Sequence, residues 1–297
     1  MQKRRAFAMA ALLLSLSLVA AACSKSTTPD TTSSAGASAG GNDLLAKIQQ
    51  DGVIVISTDP AYPPQSSLNP KTGKYEGFDI DVAEEIGKRL GVTVEWKEPP
   101  WDVLTAGHWN DRWDMSVGSM AALPVRAEVM YFTEPYYYVP AVAVVHEDNT
   151  TINDVTTDLD GKAIGVCSAC TYDLFLQQTL VITGEDIQFV VDNPDIRGYD
   201  TDSTALQDLS LGDGDRLDAV ITSGTTAQSA IDKGKPLRIV GPIFAEANSV
   251  AFDKSSSLDG QSLVAAVDKI VQEMRADGTL SELSLKWFEV DLSEPPV

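Results

Sequence analysis

The chain is short of positive charge. Its 297 residues carry 22 Lys and Arg against 43 Asp and Glu, a formal net charge of −21. Nucleic acid and anionic lipid surfaces both need cationic patches, so a surface this acidic argues against either as a partner. It leaves the sign of a buried pocket open. Histidine is scarce, with only His108 and His146, and there are three cysteines, Cys23, Cys167 and Cys170. A zinc site would have to draw on those two histidines, and neither is near the cysteines in sequence, so no metal or other cofactor is expected. No apolar run of membrane-spanning length follows the first 22 residues.

What is present begins with Lys3, Arg4 and Arg5, an apolar run from Ala6 to Val19, and Ala20-Ala21-Ala22-Cys23. A cationic start, a short apolar stretch and small residues mark residues 1–22 as a signal peptide rather than a membrane span, so the protein is expected to be exported. The small residues before Cys23 resemble a bacterial lipobox, with Ala20 where leucine is usual. That implies lipidation of Cys23 and a place at the outer face of the cytoplasmic membrane or in the periplasm. Ordinary cleavage leaving a free thiol is the alternative. Residues 24–42 are rich in Ser, Thr, Gly and Ala and hold almost no large apolar side chain, so 23–43 reads as a flexible, lipid-anchored linker.

Beyond the linker, apolar runs alternate with helical patterns. Leu44, Leu45 and Ile48 suggest a short helix. Val53-Ile54-Val55-Ile56 has the continuous apolar character of a strand covered on both faces. Val82, Ile86 and Leu90 share a helical face, with Asp79 and Asp81 near the helix start, where carboxylates favour the macrodipole. Strands are expected over 92–96, 136–145, 162–166, 189–191, 219–222 and 238–240, and helices over 172–180 and 204–211. Leu263, Val267, Ile270 and Met274 form an amphipathic face that Gly278 is placed to end. This is an α/β pattern of parallel sheets.

The stretch from Asp114 to Arg126 is the natural place for a site. Met115 and Val117 read as the end of a buried strand, and Pro124 pre-sets the first turn of a short helix. The loop between them lies outside a strand's carboxyl end, where open α/β sheets bind ligands. Ser119 supplies a hydroxyl, the backbone supplies N–H groups, and Arg126 supplies a planar fork of donors suited to a carboxylate. Asp59 and Tyr62, after the 53–56 strand, occupy the equivalent position.

Several motifs carry a resemblance. They are Thr58-Asp59-Pro60-Ala61-Tyr62, the helix from Gly77, Trp101-Asp102, the Ser119 to Arg126 stretch, Phe132-Thr133-Glu134-Pro135-Tyr136-Tyr137 and Gly161-Lys162-Ala163-Ile164-Gly165-Val166. Asp218-Ala219-Val220, Asp277-Gly278-Thr279-Leu280 and Lys286-Trp287-Phe288 complete the set. Together they span essentially the whole exported domain, and the sequence resembles the bacterial extracellular solute-binding proteins of family 3, the polar amino-acid receptors of ABC importers. The resemblance implies a type II periplasmic-binding-protein-like α/β fold, two lobes joined by two crossing segments with the ligand cleft between them. Lobe 1 is expected over 44–142 and 249–290, lobe 2 over 143–248, and a tail over 291–297. The crossings would fall near 142–149 and 244–250.

The resemblance also implies roles. Arg126, Ser119 and the backbone around Ala121 would hold a ligand carboxylate, Tyr62 and Trp101 would flank the ligand, and Asp59 would face its side chain. From lobe 2, Thr171 matches a ligand-loop threonine, and Cys170 stands where relatives carry another. Cys167 and Cys170 pair most simply as a disulfide in an oxidising compartment, with free thiols the alternative. Ser223 stands where relatives commonly place an aspartate that pairs with the ligand's ammonium. Either another acid, Asp200 or Asp202, takes that role, or the ligand lacks a normal ammonium. The implied function is a monomeric, non-enzymatic receptor that captures a small polar solute, an amino acid above all, and delivers it to an ABC permease. The alternatives are a dehydratase built on the same fold and a sensing ectodomain acting through a separate membrane partner.

Overall fold

Two hydrophobic cores organise residues 42–296, the part of the chain described by the computed structural model. The expected signal peptide, Cys23 and nearly all of the linker lie outside these residues. From the N-terminus the first lobe runs α1 (Leu44–Asp51), β1 (Val53–Ser57), β2 (Ala61–Tyr62), β3 (Ser66–Leu68), β4 (Tyr75–Glu76), α2 (Phe78–Leu90) and β5 (Thr93–Lys97). It continues through α3 (Trp101–Thr105), β6 (Met115–Ala121), α4 (Pro124–Ala127) and β7 (Met130–Phe132). The long strand β8 (Tyr137–His146) enters the second lobe, made of β9 (Ala163–Cys167), α5 (Thr171–Leu176), β10 (Asp195–Tyr199), α6 (Asp202–Leu209), β11 (Ala219–Ser223) and α7 (Gly224–Asp232). A longer strand, β12 (Leu237–Asp253), returns, and α8 (Gln261–Ala276) and α9 (Thr279–Phe288) close the first lobe.

Nine strands form one sheet in the order β10-β9-β11-β8-β12-β6-β1-β5, with β7 also on β12, and β2-β3-β4 form a separate small antiparallel sheet. Pairing within each lobe is parallel for β1 with β5 and β6, and for β9 with β10 and β11. The antiparallel pair β8–β12 runs through both lobes. Val139 belongs to the first core and Ala141 to the second, and between them Pro140 is paired with Ala245. β8 passes between the lobes as a single strand, with no turn residues to mark the place.

Local chemistry explains the elements. Ile54 and Ile56 of β1 are fully buried, as the apolar run requires. Gly77 opens α2 with φ +142, a conformation that L side chains rarely adopt, and a Cβ there would collide with the Gln65 carbonyl. Gly91, at φ +78, ends the same helix. Phe78, the first residue of α2, is fully buried against Tyr137, Tyr136 and Phe288, with ring centroids at 5.1, 5.9 and 4.7 Å. Truncating such a ring to alanine costs about 3–5 kcal/mol.

Two expectations fail. The apolar run 189–191 is not a strand. Its side chains pack on the second core from irregular backbone, and the edge strand is β10, whose Asp195-Ile196-Arg197-Gly198-Tyr199 is mostly exposed. The stretch after Val117 is not a loop either, since β6 continues to Ala121.

Candidate functional site

The site begins with a buried cation. Pro124 starts the single turn α4, and Arg126 on that turn is only 4% exposed. Its Nη1 donates to the Ala121 carbonyl at 3.1 Å and its Nη2 to the Ala169 carbonyl, in the other lobe, at 3.2 Å. The guanidinium carbon lies 5.2 Å from the centroid of the Trp101 ring. Burial lowers the Arg126 pKa to about 10, against the opposing field of Glu246, so the group stays charged at neutral pH. None of the ion pairs among the described residues involves it. A guanidinium has five N–H donors, and a buried one not matched by a carboxylate is costly unless a ligand completes it.

Ser119 behaves otherwise than expected. It sits within β6 at φ +54, and its backbone N–H donates to the Tyr136 hydroxyl at 3.0 Å. Its own hydroxyl donates to Asp79 Oδ2 at 2.7 Å and accepts from Tyr137 at 2.7 Å. Tyr136 donates to the other Asp79 oxygen at 2.8 Å. Burial raises the Asp79 carboxyl to about 7, opposed by these hydroxyls. Both Ser119 donors therefore serve this buried network, and Ser119 shapes the wall instead of offering a free hydroxyl.

The second lobe presents the turn from β9 into α5. Cys167 and Cys170 form a disulfide there. Ala169, between them at φ +60, directs its carbonyl at both Arg126 and the Trp101 indole N–H, the latter at 3.3 Å. Thr171 donates to Glu246 Oε1, and Tyr172 donates to Oε2 at 2.8 Å. Burial raises the Glu246 pKa, while these hydroxyls and Arg126 act against it. The Tyr62 and Tyr172 hydroxyls meet across the lobes at 3.3 Å. The Cys167, Cys170 and Asp202 ligand atoms lie within 4.8 Å of one another, but the sulfurs are bonded and offer no thiolate to a metal.

These groups line a pocket between the two lobes. Asp59, Tyr62, Trp101, Ser119, Ala121, Arg126, Cys170 and Thr171 all line it. Ser223 does not. It caps α7, accepting from the Thr226 N–H at 3.2 Å and from Gln65 Nε2 at 3.2 Å.

Residues 54–290 match the model of the bacterial extracellular solute-binding proteins, family 3. The chain belongs to that family. The L-cystine-binding protein TcyJ of Escherichia coli K12 is 30% identical over 253 residues, covering 84% of this chain and 88% of its own. Among solved structures, a mutant of ArgBP from T. maritima superposes with a TM-score of 0.71 at 25% identity, covering 83% of this chain and 99% of that one. The ancestral amino acid-binding protein AncCDT-1, a precursor of cyclohexadienyl dehydratase, gives 0.70 at 26%, covering 82% and 99%. Such a two-lobed family 3 protein captures its solute between the lobes, and this chain is a solute-binding protein rather than an enzyme.

Three residues of the cleft and its closure went unpredicted in this family 3 chain. Glu246 is an isolated acid in the run Phe244-Ala245-Glu246-Ala247, which was itself a signal, since a buried strand tolerates a carboxylate only with partners. Tyr172 was read only as the start of the 172–180 helix. Gln65, fully buried, reaches across the lobes to Ser223 and to Thr225 Oγ1 at 2.8 Å, and nothing local in its sequence marks that reach.

Proposed function

We propose that this chain is the receptor of an ABC uptake system, closing its lobes around an amino acid and presenting the closed form to a membrane permease. Arg126 carries the reading, a buried guanidinium in the cleft with N–H donors left over after Ala121 and Ala169. The ligand's carboxylate takes those donors, Tyr62 and Trp101 flank its stem, and Thr171 and Cys170 contribute from the second lobe. Asp59, whose pKa burial raises, faces the side chain. A ligand that touches both lobes favours closure by its differential affinity for the closed state. The names of relatives support an amino acid as the class, L-cystine for TcyJ. Ala121 and Ser119 contribute wall and backbone. The lobes are assigned to 44–142 with 249–290 and to 143–248.

Anchoring belongs to the same reading. No helix of the described residues is long and apolar enough to cross a membrane. We assign attachment to lipid on Cys23, with the linker to residue 43 as a leash and the receptor acting as a monomer.

The test is a titration of the purified, ligand-stripped protein with the twenty amino acids and L-cystine, followed by tryptophan fluorescence, since Trp101 lines the cleft. A saturable response to an amino acid that Arg126→Ala abolishes is the expected result. A folded protein silent across the panel would overturn the reading.

A further inference from the structure

An ammonium removed from water needs a carboxylate or several oxygen acceptors around it. Ser223 supplies no charge, and its hydroxyl is already engaged with Thr226 and Gln65. Four acids border the cleft: Asp59, Asp200, Asp202 and Glu246. Asp200 is exposed. Asp59 is half-buried and accepts from the Ala61 N–H at 2.7 Å. Glu246 accepts from Thr171 and Tyr172 and lies in the field of Arg126. Asp202 is different. It is 5% exposed, and its Oδ1 has no hydrogen-bond partner among the described residues. The fully buried Thr222 hydroxyl lies beside it, close enough that its hydrogen bonding opposes the rise in the Asp202 pKa. Leaving a buried carboxylate oxygen without a donor is costly, so the site lacks a donor that a bound cation would provide.

Placement adds a second argument. Asp202 is the first residue of α6, and the next residue, Ser203, donates to the Ala61 carbonyl of the first lobe at 2.7 Å. The carboxylate is thus held against the cleft when the lobes are together. We propose that Asp202, with the Thr222 hydroxyl behind it, receives the ligand's ammonium group in place of Ser223. The site then selects solutes that carry both a carboxylate, for Arg126, and a free amine. This assignment rests on the amino-acid receptor reading above.

The groups facing Asp202 agree with that role. Asp59 comes from the first lobe, Glu246 from β12, and the Tyr62 and Tyr172 hydroxyls and the Cys167–Cys170 sulfurs complete the surroundings. Among the described residues, Arg126 is the one cation lining the cleft. Burial, opposed by hydrogen bonding from Thr222 and reinforced by Asp59 and Glu246, holds the Asp202 carboxyl at about 7. A bound ammonium therefore displaces protons at neutral pH.

Calorimetric titration of the full chain tests the assignment. The ligands are the twenty amino acids and L-cystine, each binder being compared with its amine-free analogue, for example L-arginine with 5-guanidinopentanoate. In wild type the analogue should bind about 10- to 100-fold more weakly, the range for a hydrogen bond to a charged group. Asp202→Asn should lower amino-acid affinity by a similar factor while barely changing that of the analogue. Equal losses for both ligands, or none, would overturn the assignment. Proton release gives a second reading that needs no variant. Near pH 7, in buffers of different ionisation enthalpy, wild type should release more protons with the amino acid than with its analogue. Equal release would also overturn it. If no amino acid binds wild type, the receptor reading falls and this assignment with it.

Discussion

Arg126 in the first lobe donates to the carbonyl oxygen of Ala169 in the second, at 3.2 Å. On the proposed reading the residue that takes the ligand's carboxylate is also a clasp between the lobes, so ligand affinity and closure would draw on the same guanidinium.

Arg126→Lys should accordingly be severe. An ammonium keeps the charge but lacks the planar fork that serves the Ala121 and Ala169 carbonyls and a bidentate carboxylate together. Truncating one partner of a buried charged pair costs about 2–5 kcal/mol, so affinity should fall at least about 30-fold in a binding titration. Retention of wild-type affinity would show that the carboxylate binds elsewhere.

The Cys167–Cys170 disulfide bounds the turn that carries Ala169. The closed loop is so short that chain entropy assigns the bond only about 2 kcal/mol of global stability. Its larger effect should be local. Reduction, or Cys170→Ser paired with Cys167→Ser, should lower Tm modestly and weaken ligand binding severalfold, because the acceptor for Arg126 and Trp101 loses its constraint. A large fall in Tm with unchanged affinity would contradict this.

Asp79 makes stability depend on pH. Its folded pKa of about 7 is raised above an ordinary carboxyl, chiefly by burial, so the folded state holds a proton the unfolded chain has lost. That contribution is complete below pH 4 and lost as pH rises through 7, roughly 4 kcal/mol over the range. Asp79→Asn loses an acceptor for Ser119 or Tyr136 but carries no titration. Urea denaturation should find it less stable than wild type at pH 5, with the gap closing by pH 8. Parallel profiles for the two proteins would refute the assignment.

Much of the architecture was legible because burial writes itself as pattern. The run 53–56, the β8 run and the Leu263–Met274 face each had to be apolar to fill a core, and each is where the pattern places it. β10 escaped because an edge strand of Asp, Arg and Gly carries no such pattern, and 189–191 misled because apolar coil packs on a core as well as a strand does. At the site, Arg126 was readable from its chemistry and from Pro124 beside it. Ser119 was not, since its partner Asp79 lies 40 residues away and looked like a helix-start carboxylate. The orphaned oxygen of Asp202 is a property of three-dimensional surroundings, and sequence could only offer it beside Asp200.

The most direct measurement is native mass spectrometry of the protein after it has been unfolded, stripped of ligand, refolded and mixed with equimolar amino acids and L-cystine. A one-to-one complex carrying the mass of an amino acid, lost in Arg126→Ala, is the expected result. A folded protein that carries no such mass would contradict it.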